Sequence, residues 1–309
     1  MSTIHIILPV HNGWEYTEKF VDCLRRQTHQ DYQLILVDDG STDGTADQVR
    51  RRIERLTVIK GEGKWWWGGG MQQGYLHIKR TALPADDLVL IINNDTEFGP
   101  EFLATADRIM AAERNCLLFA ANYDRRTGEL YDAGAKADWR ILRFPKNVPE
   151  SEIDCLSSRG LFLRVGDLIK LGGFRPFFLP HYLSDYEFTI RARRRGYRLI
   201  VRPELNLLYD PSQGGHYLLA KEVVSFGDYL RKSFSLKTPV NPVIMTSFVI
   251  LSCPLPYLPL NLLRVWGRFC GRTFGMFRKF YYYPARSRFR NSGFYRGWKR
   301  FQRRLGKKK

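Results

Sequence analysis

The sequence lacks the cysteine pattern and the leader of a secreted, disulfide-stabilised protein. Its five cysteines are scattered and odd in number, and no two of them form a CxxC pair. This pattern argues against a disulfide framework or a zinc site and suits a reducing compartment. The N-terminus, MSTIHIILPVHN, has neither a basic n-region nor a long apolar h-region, and it is typical of a first β-strand. Both absences predict a cytoplasmic protein.

The C-terminal part of the chain lacks acidic residues. From Arg264 to Lys309 there are sixteen Lys and Arg residues and no Asp or Glu, whereas all 309 residues together carry a formal net charge of +18. The basicity therefore belongs to a tail, and the rest of the chain is nearly neutral. Because this tail mixes arginines with aromatic residues, a nucleic-acid-binding protein remains the alternative interpretation.

The first apolar segment lacks the glycines of a dinucleotide-binding fold. It is followed by PVHNGW, which does not supply G-x-G-x-x-G and so argues against a nicotinamide dehydrogenase. A sugar-phosphate nucleotidyltransferase would carry a glycine-rich loop with Arg or Lys at the same place, and this is also missing.

What the sequence does contain is an alternation of strand-like and helix-like segments. The pattern predicts an α/β protein with a Rossmann-like, mostly parallel sheet flanked by helices. In the first half the predicted strands are Thr3–Val10, Gln33–Val37, Leu56–Ile59, Leu88–Ile92 and Cys116–Ala121, and the predicted helices include Trp14–Gln27, Met71–Arg80 and Gly99–Ala112. In the second half we expect a strand over Gly160–Val165 and helices over Gly166–Leu171 and Asp185–Arg195.

Acidic residues follow two of the predicted strands, where open α/β sheets bind ligands. Asp38 and Asp39 come after Val37, and their carboxylates can accept hydrogen bonds from a base N–H or from ribose hydroxyls. A turn with a helix cap explains the same residues without any ligand. Asp95 ends the run Asn93-Asn94-Asp95 after another strand, where a carboxylate can hold Mg²⁺ or Mn²⁺ beside substrate phosphates. The alternative there is a solvated acid.

A third group of acidic residues lies at the start of a predicted helix. Asp185 or Glu187 could be a general base that takes the proton from an acceptor hydroxyl. An acid at a helix N-terminus is also favoured by the helix macrodipole, and spacing does not decide between the two explanations.

A glycine- and tryptophan-rich segment, KGEGKWWWGGGM, spans residues 60–71. Gly68 and Gly69 would allow the backbone to approach a phosphate closely, and the helix after them would offer free N–H groups to an anion. The alternative is that the three tryptophans pack under a loop. Since three consecutive side chains cannot all face one core, we expect at least one of them to line the donor or acceptor cleft.

The order of four motifs, PVHN, VDDGSTDGT, NNDTEF and HYLSDYEFTIRARRRGYRL, closely resembles the large family of inverting glycosyltransferases with the GT-A fold, known as family two. The resemblance spans about residues 3–215 and is strongest to the bacterial rhamnosyltransferase-like branch. It implies a metal-dependent enzyme that moves a hexosyl-type sugar from a dTDP-, UDP- or GDP-linked donor to a hydroxyl of a polyprenyl-linked or other glycan acceptor. Cell-surface polysaccharide synthesis is the expected setting.

The resemblance also implies roles for individual residues. Asp185 becomes the catalytic base with Glu187 as the runner-up, and Asp95 becomes the metal ligand although the family's Asp-x-Asp reads Asn93-Asn94-Asp95 here. His216 is a second candidate metal ligand, with a structural role as the alternative. The predicted nucleotide-binding residues are Pro9, His11, Asp38, Asp39, Trp67, Gly68, Gly69 and Asn94. His181, Glu187 and Trp66 are expected near the acceptor.

The C-terminal region is expected to associate with a membrane. Val243–Leu263 contains no charged residue and approaches the length of a bilayer span, but Pro254, Pro256 and Pro259 interrupt it. A span would also place the basic tail on the far side, against the positive-inside tendency. We therefore expect a peripheral protein on the inner face of the cell membrane, bound to anionic headgroups. A buried helical pair with a solvated tail is the alternative.

The predicted domains are a glycosyltransferase domain over residues 1–238, divided near 122/123 into nucleotide- and acceptor-binding halves, and the membrane-associating segment over 239–309.

Overall fold

The structure, a computed structural model, describes residues 2–213 and 223–282. Within them a mixed sheet carries helices on both faces. The strands are β1 (Ile4–Val10), β2 (Tyr32–Asp38), β3 (Leu56–Lys60), β4 (Leu88–Ile91), β5 (Thr96–Glu97), β6 (Cys116–Asp124), β7 (Leu130–Asp132), β8 (Leu161–Arg164) and β9 (Arg198–Tyr209). The helices are α1 (Trp14–Arg25), α2 (Thr45–Arg50), α3 (Trp66–Thr81), α4 (Phe102–Ala112), α5 (Val165–Leu171), α6 (Ser184–Arg194), α7 (Phe226–Ser233), α8 (Pro242–Ser252) and α9 (Leu258–Phe277).

The first four strands form the parallel half of the sheet, in the order β3-β2-β1-β4. In register, Val10 of β1 pairs with Asp38 of β2, and Ile7 pairs with Ile91 of β4. The carboxyl ends of β1, β2 and β4 therefore meet at one edge. This brings together the loops that begin at His11, Asp39 and Asn93.

The other half of the sheet corrects the expectation of a mostly parallel arrangement. The order continues from β4 through β8, β6 and β9 to β5, and β7 pairs with β6. Of these pairs only β6 with β9 is parallel, while β8 runs antiparallel to both β4 and β6. An apolar run such as that of β8 indicates a buried strand, but it does not indicate in which direction the strand runs. The sequence therefore could not distinguish parallel from antiparallel pairing.

Apolar side chains on the two faces of the sheet form two separate cores. One face packs against α1 and α4 with Phe20, Leu24 and Leu103 fully buried, and the other packs against α3, α5 and α6. Most of the helices predicted from the sequence are present with small shifts of their ends. The clear exception is α3, which begins at Trp66, five residues before the predicted start at Met71.

The uncharged stretch 243–263 is two helices, not one. α8 ends at Ser252, and Pro254 separates it from α9. Ile244 and Phe248 of α8 are buried in a cluster with Leu179 and Ile190, so residues on both sides of the predicted boundary at 238/239 share one core. No helix within residues 2–213 and 223–282 is both long enough and apolar enough to cross a bilayer.

Candidate active site

A cavity lies at the carboxyl ends of β1, β2 and β4. Its volume is about 460 Å³. The side chains and backbone that line it come from the loops after these strands, from the start of α3 and from two segments later in the chain. They are Pro9, Val10, His11, Asn12, Gly13, Tyr16, Asp39, Gly63, Trp66, Trp67, Asn94, Asp95, His181 and Lys237. We call this the main cavity.

The Asp39 carboxylate on the main cavity is already occupied by the protein's own backbone. Its Oδ1 accepts hydrogen bonds from the N–H groups of Gly63 and Lys64 at 2.8 and 3.1 Å. Its Oδ2 accepts from those of Trp65 and Trp66 at 2.8 and 3.0 Å. One carboxylate thus closes the loop after β3 and supplies an acceptor to the first N–H groups of α3, which have no partner inside the helix.

The three tryptophans point to different places. Trp65 packs against the core beside α3, whereas Trp66 and Trp67 line the main cavity. Trp66 has a positive φ of 56°, which is strained for an aromatic residue, and its ring lies 5.7 Å from that of His181. The indole N–H of Trp67 donates to Asn93 Oδ1 at 3.0 Å. The start of α3 therefore places two indole rings beside the loop that ends in Asp95.

The structure does not bring Gly68 and Gly69 to the cavity wall. Both are buried inside the first turn of α3. A Cβ on Gly68 would lie 2.5 Å from the Leu179 carbonyl oxygen, and one on Gly69 would lie 3.0 Å from Trp65 Cβ. These glycines allow the helix to pack closely against the chain before α6, so their predicted contact with phosphate has no support in the geometry.

Of the other predicted nucleotide-binding residues, Pro9, His11 and Asn94 line the main cavity and Asp38 does not. His11 Nδ1 forms a hydrogen bond of 2.6 Å with the Asp39 carbonyl oxygen, and Asn94 Nδ2 donates to Thr17 Oγ1 at 2.9 Å. The Asp38 carboxylate accepts from the Ser41 N–H at 2.8 Å and faces a separate, smaller cavity. Asp38 is thus the turn residue that the sequence left open as its alternative role.

Asp95 lines the main cavity and also a smaller chamber on its other side, which shares Tyr16 and Asn94. Its Oδ1 is buried without a hydrogen-bond partner in the described residues. Burial raises the pKa of this carboxyl group, and the Arg159 guanidinium partly offsets the effect. A buried carboxylate oxygen without a partner, facing a cavity, is a suitable ligand for a hard divalent cation.

The described residues contain no group of three His, Cys, Asp or Glu side chains that could hold a metal ion. Asn93, the other end of the predicted Asp-x-Asp motif, has its side-chain oxygen engaged by Trp67. Asp95 is therefore the predicted ligand that the geometry supports, as in Mg²⁺ sites built from one carboxylate and substrate phosphates. His216, the second predicted ligand, lies outside the described residues.

The sequence assigned no role to Arg159, yet its positive charge acts on both Asp95 and Asp185. Its guanidinium carbon lies 4.0 Å from the centre of the Tyr209 ring. Burial alone lowers the pKa of Arg159, but Tyr209, Asp95 and Asp132 raise it on balance. Its charge also acts on Asp185, which joins the predicted base electrostatically to the predicted metal ligand. Arg159 lies just before β8 and outside the motifs of the sequence, so no sequence pattern indicated its role.

Asp185 stands in the first turn of α6 and is not among the residues that line the main cavity. Burial raises the pKa of its carboxyl group, while the Tyr186 N–H, which donates to Oδ1 at 2.9 Å, and Arg159 lower it in part. A carboxylate whose pKa is raised from the ordinary value is a stronger proton acceptor. The geometry is compatible with the predicted role of Asp185.

Glu187 does not belong to this site. Its side chain is 2 % exposed, and its two oxygens accept from Arg191 at 2.9 and 3.1 Å. Arg175 lies 3.5 Å away on the same carboxylate. The position of Glu187, two residues after Asp185 on a helix, turns it away from the cavity and into a structural ion pair.

His181 does reach the main cavity, as predicted for a residue close to the acceptor. Burial, together with the nearby ammonium group of Lys237, lowers its pKa to about 4. The imidazole is therefore neutral at physiological pH, and its buried Nδ1 has no partner in the described residues. Trp66 and His181 form adjoining parts of one wall.

The region of the chain that contains the first part of this site matches a known family. Residues 5–152, just under half of the chain, match the model described as Glycosyl transferase family 2. Over these residues the chain is similar to glycosyl transferase family 2. These matches give no support to the alternative of a nucleic-acid-binding protein.

Two curated relatives are similar to parts of the chain. Glycosyltransferase GlyG of Streptococcus pneumoniae serotype 4 is 26% identical over 133 residues, which are 41% of this chain and 42% of the relative. Poly(ribitol-phosphate) beta-glucosyltransferase of Bacillus spizizenii is 29% identical over 105 residues, which are 32% of this chain and 16% of the relative. In both matches the chain spans less than half the length of the relative.

A solved structure extends the similarity of fold beyond the family 2 domain. The mannosyltransferase PcManGT from Pyrobaculum calidifontis, in complex with GDP-Man and Mn²⁺, superposes with a TM-score of 0.53 at 17% identity. The match covers 96% of this chain and 82% of that one. The architecture is therefore a GT-A-like mixed α/β fold. His181 and Lys237, which line the main cavity, lie after residue 152, so the cavity extends beyond the region that matches the family model.

Proposed function

We propose that this protein is an inverting glycosyltransferase that moves a hexosyl-type sugar from a nucleotide-diphosphate donor to a hydroxyl group of a glycan or lipid-linked glycan. The observation that carries the proposal is the Asp95 carboxylate oxygen, which is buried at the main cavity without a partner. The names of the relatives, one of which acts on poly(ribitol-phosphate), support a role in bacterial cell-surface polysaccharide synthesis.

The dimensions and walls of the main cavity suit a nucleotide sugar. A volume of about 460 Å³ is in the usual range of small-molecule sites. The indole rings of Trp66 and Trp67 offer flat apolar surfaces for a base or a sugar ring, and the polar groups of His11 and Asn94 lie on the opposite loops. We assign the donor to this cavity. A dTDP-linked sugar, as in rhamnosyltransferases, is one form of the proposal, and UDP- and GDP-linked sugars are the others.

The proposed enzyme uses Mg²⁺ or Mn²⁺, and the residues at the cavity fit such an ion. Asp95 would hold it through the oxygen that has no protein partner, and phosphate oxygens of the donor would complete the coordination. When bound, the ion supplies positive charge against the negative charge that develops on the leaving nucleoside diphosphate.

Asp185 is the proposed base. Its carboxylate takes the proton from the acceptor hydroxyl, whose oxygen forms the new bond to the anomeric carbon as the bond to the nucleoside diphosphate breaks on the opposite face. A single displacement of this kind inverts the anomeric configuration. The positive charge of Arg159 helps to keep Asp185 ionised in a buried place, because it opposes the effect of burial on the pKa.

The test measures activity with each combination of nucleotide-sugar donor and metal ion. Purified protein is incubated with UDP-, dTDP- and GDP-sugars, with lipid-linked or polymeric acceptors, and with Mg²⁺, Mn²⁺ or EDTA, and the release of nucleoside diphosphate is measured. We expect one nucleotide class to be strongly preferred, and activity to be lost in EDTA and restored by the metal. Proton coupling at the anomeric carbon of the product reports inversion.

Two variants connect this assay to the site. Asp95→Asn should abolish metal-dependent turnover while leaving the thermal unfolding temperature equal or higher, since it removes a buried charge that has no partner. Asp47→Asn is the matched control, because Asp47 is an exposed residue paired only with Arg50. Full activity of Asp95→Asn with all donors would contradict the proposed site.

We also propose that the protein lies on the inner face of the cell membrane. Large apolar side chains are exposed along α8, α9 and the link between them, including Ile250 at 58%, Leu255 at 79% and Leu263 at 72%. The same part of the chain carries the arginines of α9, and a surface that is both apolar and basic suits an anionic membrane. The full chain should bind vesicles that contain anionic lipid more strongly than neutral vesicles, and Leu255→Glu with Leu263→Glu should weaken that binding. Equal binding by this double variant would exclude this face as the contact.

A further inference from the structure

The segment between α7 and α8 contributes one residue to the main cavity. Lys237 lies in its lining although it is 85 residues beyond the end of the family 2 match. The ammonium group lies 6.0 Å from the centre of the Trp66 ring, within the range of a cation–π contact. Within residues 2–213 and 223–282 no Asp or Glu forms an ion pair with Lys237. A cation therefore stands at the cavity without a protein counterion there.

The backbone on either side of Lys237 is fixed by hydrogen bonds. Thr238 is buried, and its hydroxyl donates to the Lys232 carbonyl oxygen at 2.8 Å. Asn241 is also buried, donates to the Phe234 carbonyl oxygen at 2.9 Å and caps α8 through its side-chain oxygen. The Lys237 N–H donates to Ser235 Oγ at 3.2 Å. These contacts hold the turn, so that the lysine is presented toward Trp66 by a structured segment.

The charges around the cavity favour a further positive group beside a bound diphosphate. The Asp39 carboxylate is stabilised by four backbone N–H groups but keeps its negative charge, and Asp95 is the carboxylate assigned to the metal. One divalent cation on one carboxylate carries a net charge of about +1, whereas a nucleoside diphosphate ester carries about −2. Besides the buried Arg159, which acts on Asp95, the cavity can use another positive group against this charge. Lys237 is exposed there and has no acid partner among the described residues.

We propose that Lys237 binds a phosphate oxygen of the nucleotide-sugar donor, so that the segment between α7 and α8 completes the donor site of the glycosyl transferase family 2 domain. This inference rests on the proposed function, because it requires that the donor occupies the main cavity. A lysine ammonium is a common phosphate ligand that acts as a point charge. His181 lies on the same wall of the cavity, but its imidazole ring is neutral. Lys237 is therefore the positively charged side chain of that wall.

The experiment compares a nucleoside diphosphate with its nucleoside. Binding of UDP, dTDP and GDP, and of uridine, thymidine and guanosine, is measured by calorimetry in the presence of Mn²⁺ for the full chain and for Lys237→Ala. For the nucleotide that binds the unmodified protein, we expect about tenfold weaker binding of the diphosphate by the variant and a smaller dependence on salt. Nucleoside binding should be the same in both proteins, which a general loss of structure would not produce.

Two further variants are the controls. Lys237→Arg should retain most of the diphosphate affinity, since it keeps the charge. Lys232→Ala should bind like the unmodified protein, because Lys232 lies on α7, next to this segment, pairs with Asp228 and does not line the cavity. Equal diphosphate binding by Lys237→Ala and the unmodified protein overturns the inference and leaves the proposed function standing.

Other results are equally decisive. If the unmodified protein binds none of the nucleoside diphosphates, the proposed function itself fails, and this inference fails with it. If Lys237→Ala keeps its donor affinity but raises the KM for a phosphate-bearing acceptor, the lysine binds acceptor phosphate, and the assignment to the donor is overturned.

Discussion

The backbone N–H of Trp66 donates to Asp39 Oδ2 at 3.0 Å, while Trp66 itself is held at a φ of 56°. A bulky residue in this left-handed region costs about 1–3 kcal/mol unless its surroundings fix it. Here a buried carboxylate after β2 fixes the conformation, and the conformation places the indole ring over the main cavity. Asp39 was predicted to contact the nucleoside directly. The structure instead supports an indirect contribution through Trp66.

Replacing Asp39 tests this indirect role. Asp39→Asn exchanges one acceptor oxygen for an amide group that meets two backbone N–H donors, so we expect a loss of about 2 kcal/mol in the free energy of unfolding and at least tenfold weaker nucleotide binding. Chemical denaturation and calorimetry measure the two effects. Asp43→Asn, at the other end of the same motif and outside the cavity lining, should leave nucleotide affinity unchanged. A variant that keeps both full stability and full affinity would show that the loop does not depend on Asp39.

Trp66→Gly separates backbone strain from ligand contact. Glycine adopts a positive φ without strain, so the variant should unfold at an equal or higher temperature, while the loss of the ring should weaken nucleotide-sugar binding about tenfold. Thermal unfolding and donor KM are the measurements. Ala82→Gly, at another residue with a positive φ of 51° and remote from the cavity, should raise stability without any change in KM. If Trp66→Gly has unchanged KM, the ring is not part of the donor site.

Asp185 and Glu187 should respond differently to amide substitution. Asp185→Asn removes the proposed base, and we expect kcat to fall at least about 10³-fold with donor affinity and folding preserved. Glu187→Gln breaks a buried pair with Arg191 and should lower the free energy of unfolding by about 3 kcal/mol, with kcat of the folded enzyme near normal. The opposite pattern, with a stable Glu187→Gln that has lost turnover, would make Glu187 the base.

The imidazole of His181 should make stability depend on pH. Its pKa is lowered to about 4 in the folded protein, while an unfolded histidine titrates near 6.5. Between these values the unfolded state binds more protons, so stability rises with pH from about 4 to about 6.5 and is constant above that range. The expected change is about 2–3 kcal/mol at most. Unfolding of the wild type and of His181→Gln at a series of pH values measures it, and NMR titration of the ring should show no protonation above pH 5.5.

The sequence located the three loops of the nucleotide half because each follows a short buried strand. Parallel strands of this kind bring their carboxyl ends to one edge, and Asp39, Asn94 and Asp95 were predicted from that rule and lie at the main cavity. The structure places Gly68 and Asp38 outside the lining of the main cavity. The sequence could not decide their roles, because close packing and close approach to phosphate require glycine equally, and because a turn residue and a ligand are both polar.

The sequence by itself pointed to the family: the order of its four motifs resembles family two glycosyltransferases, and residues 5–152 match the model described as Glycosyl transferase family 2. Local spacing carries that information because each motif lies within a few residues of a strand end. Only the tertiary structure decided which side chains reach the cavity. Lys237 reaches the cavity from the turn before α8, and Arg159 acts on Asp95 and Asp185 from the residues before the antiparallel β8. Contacts between residues so far apart in the chain leave no periodic signal in the sequence.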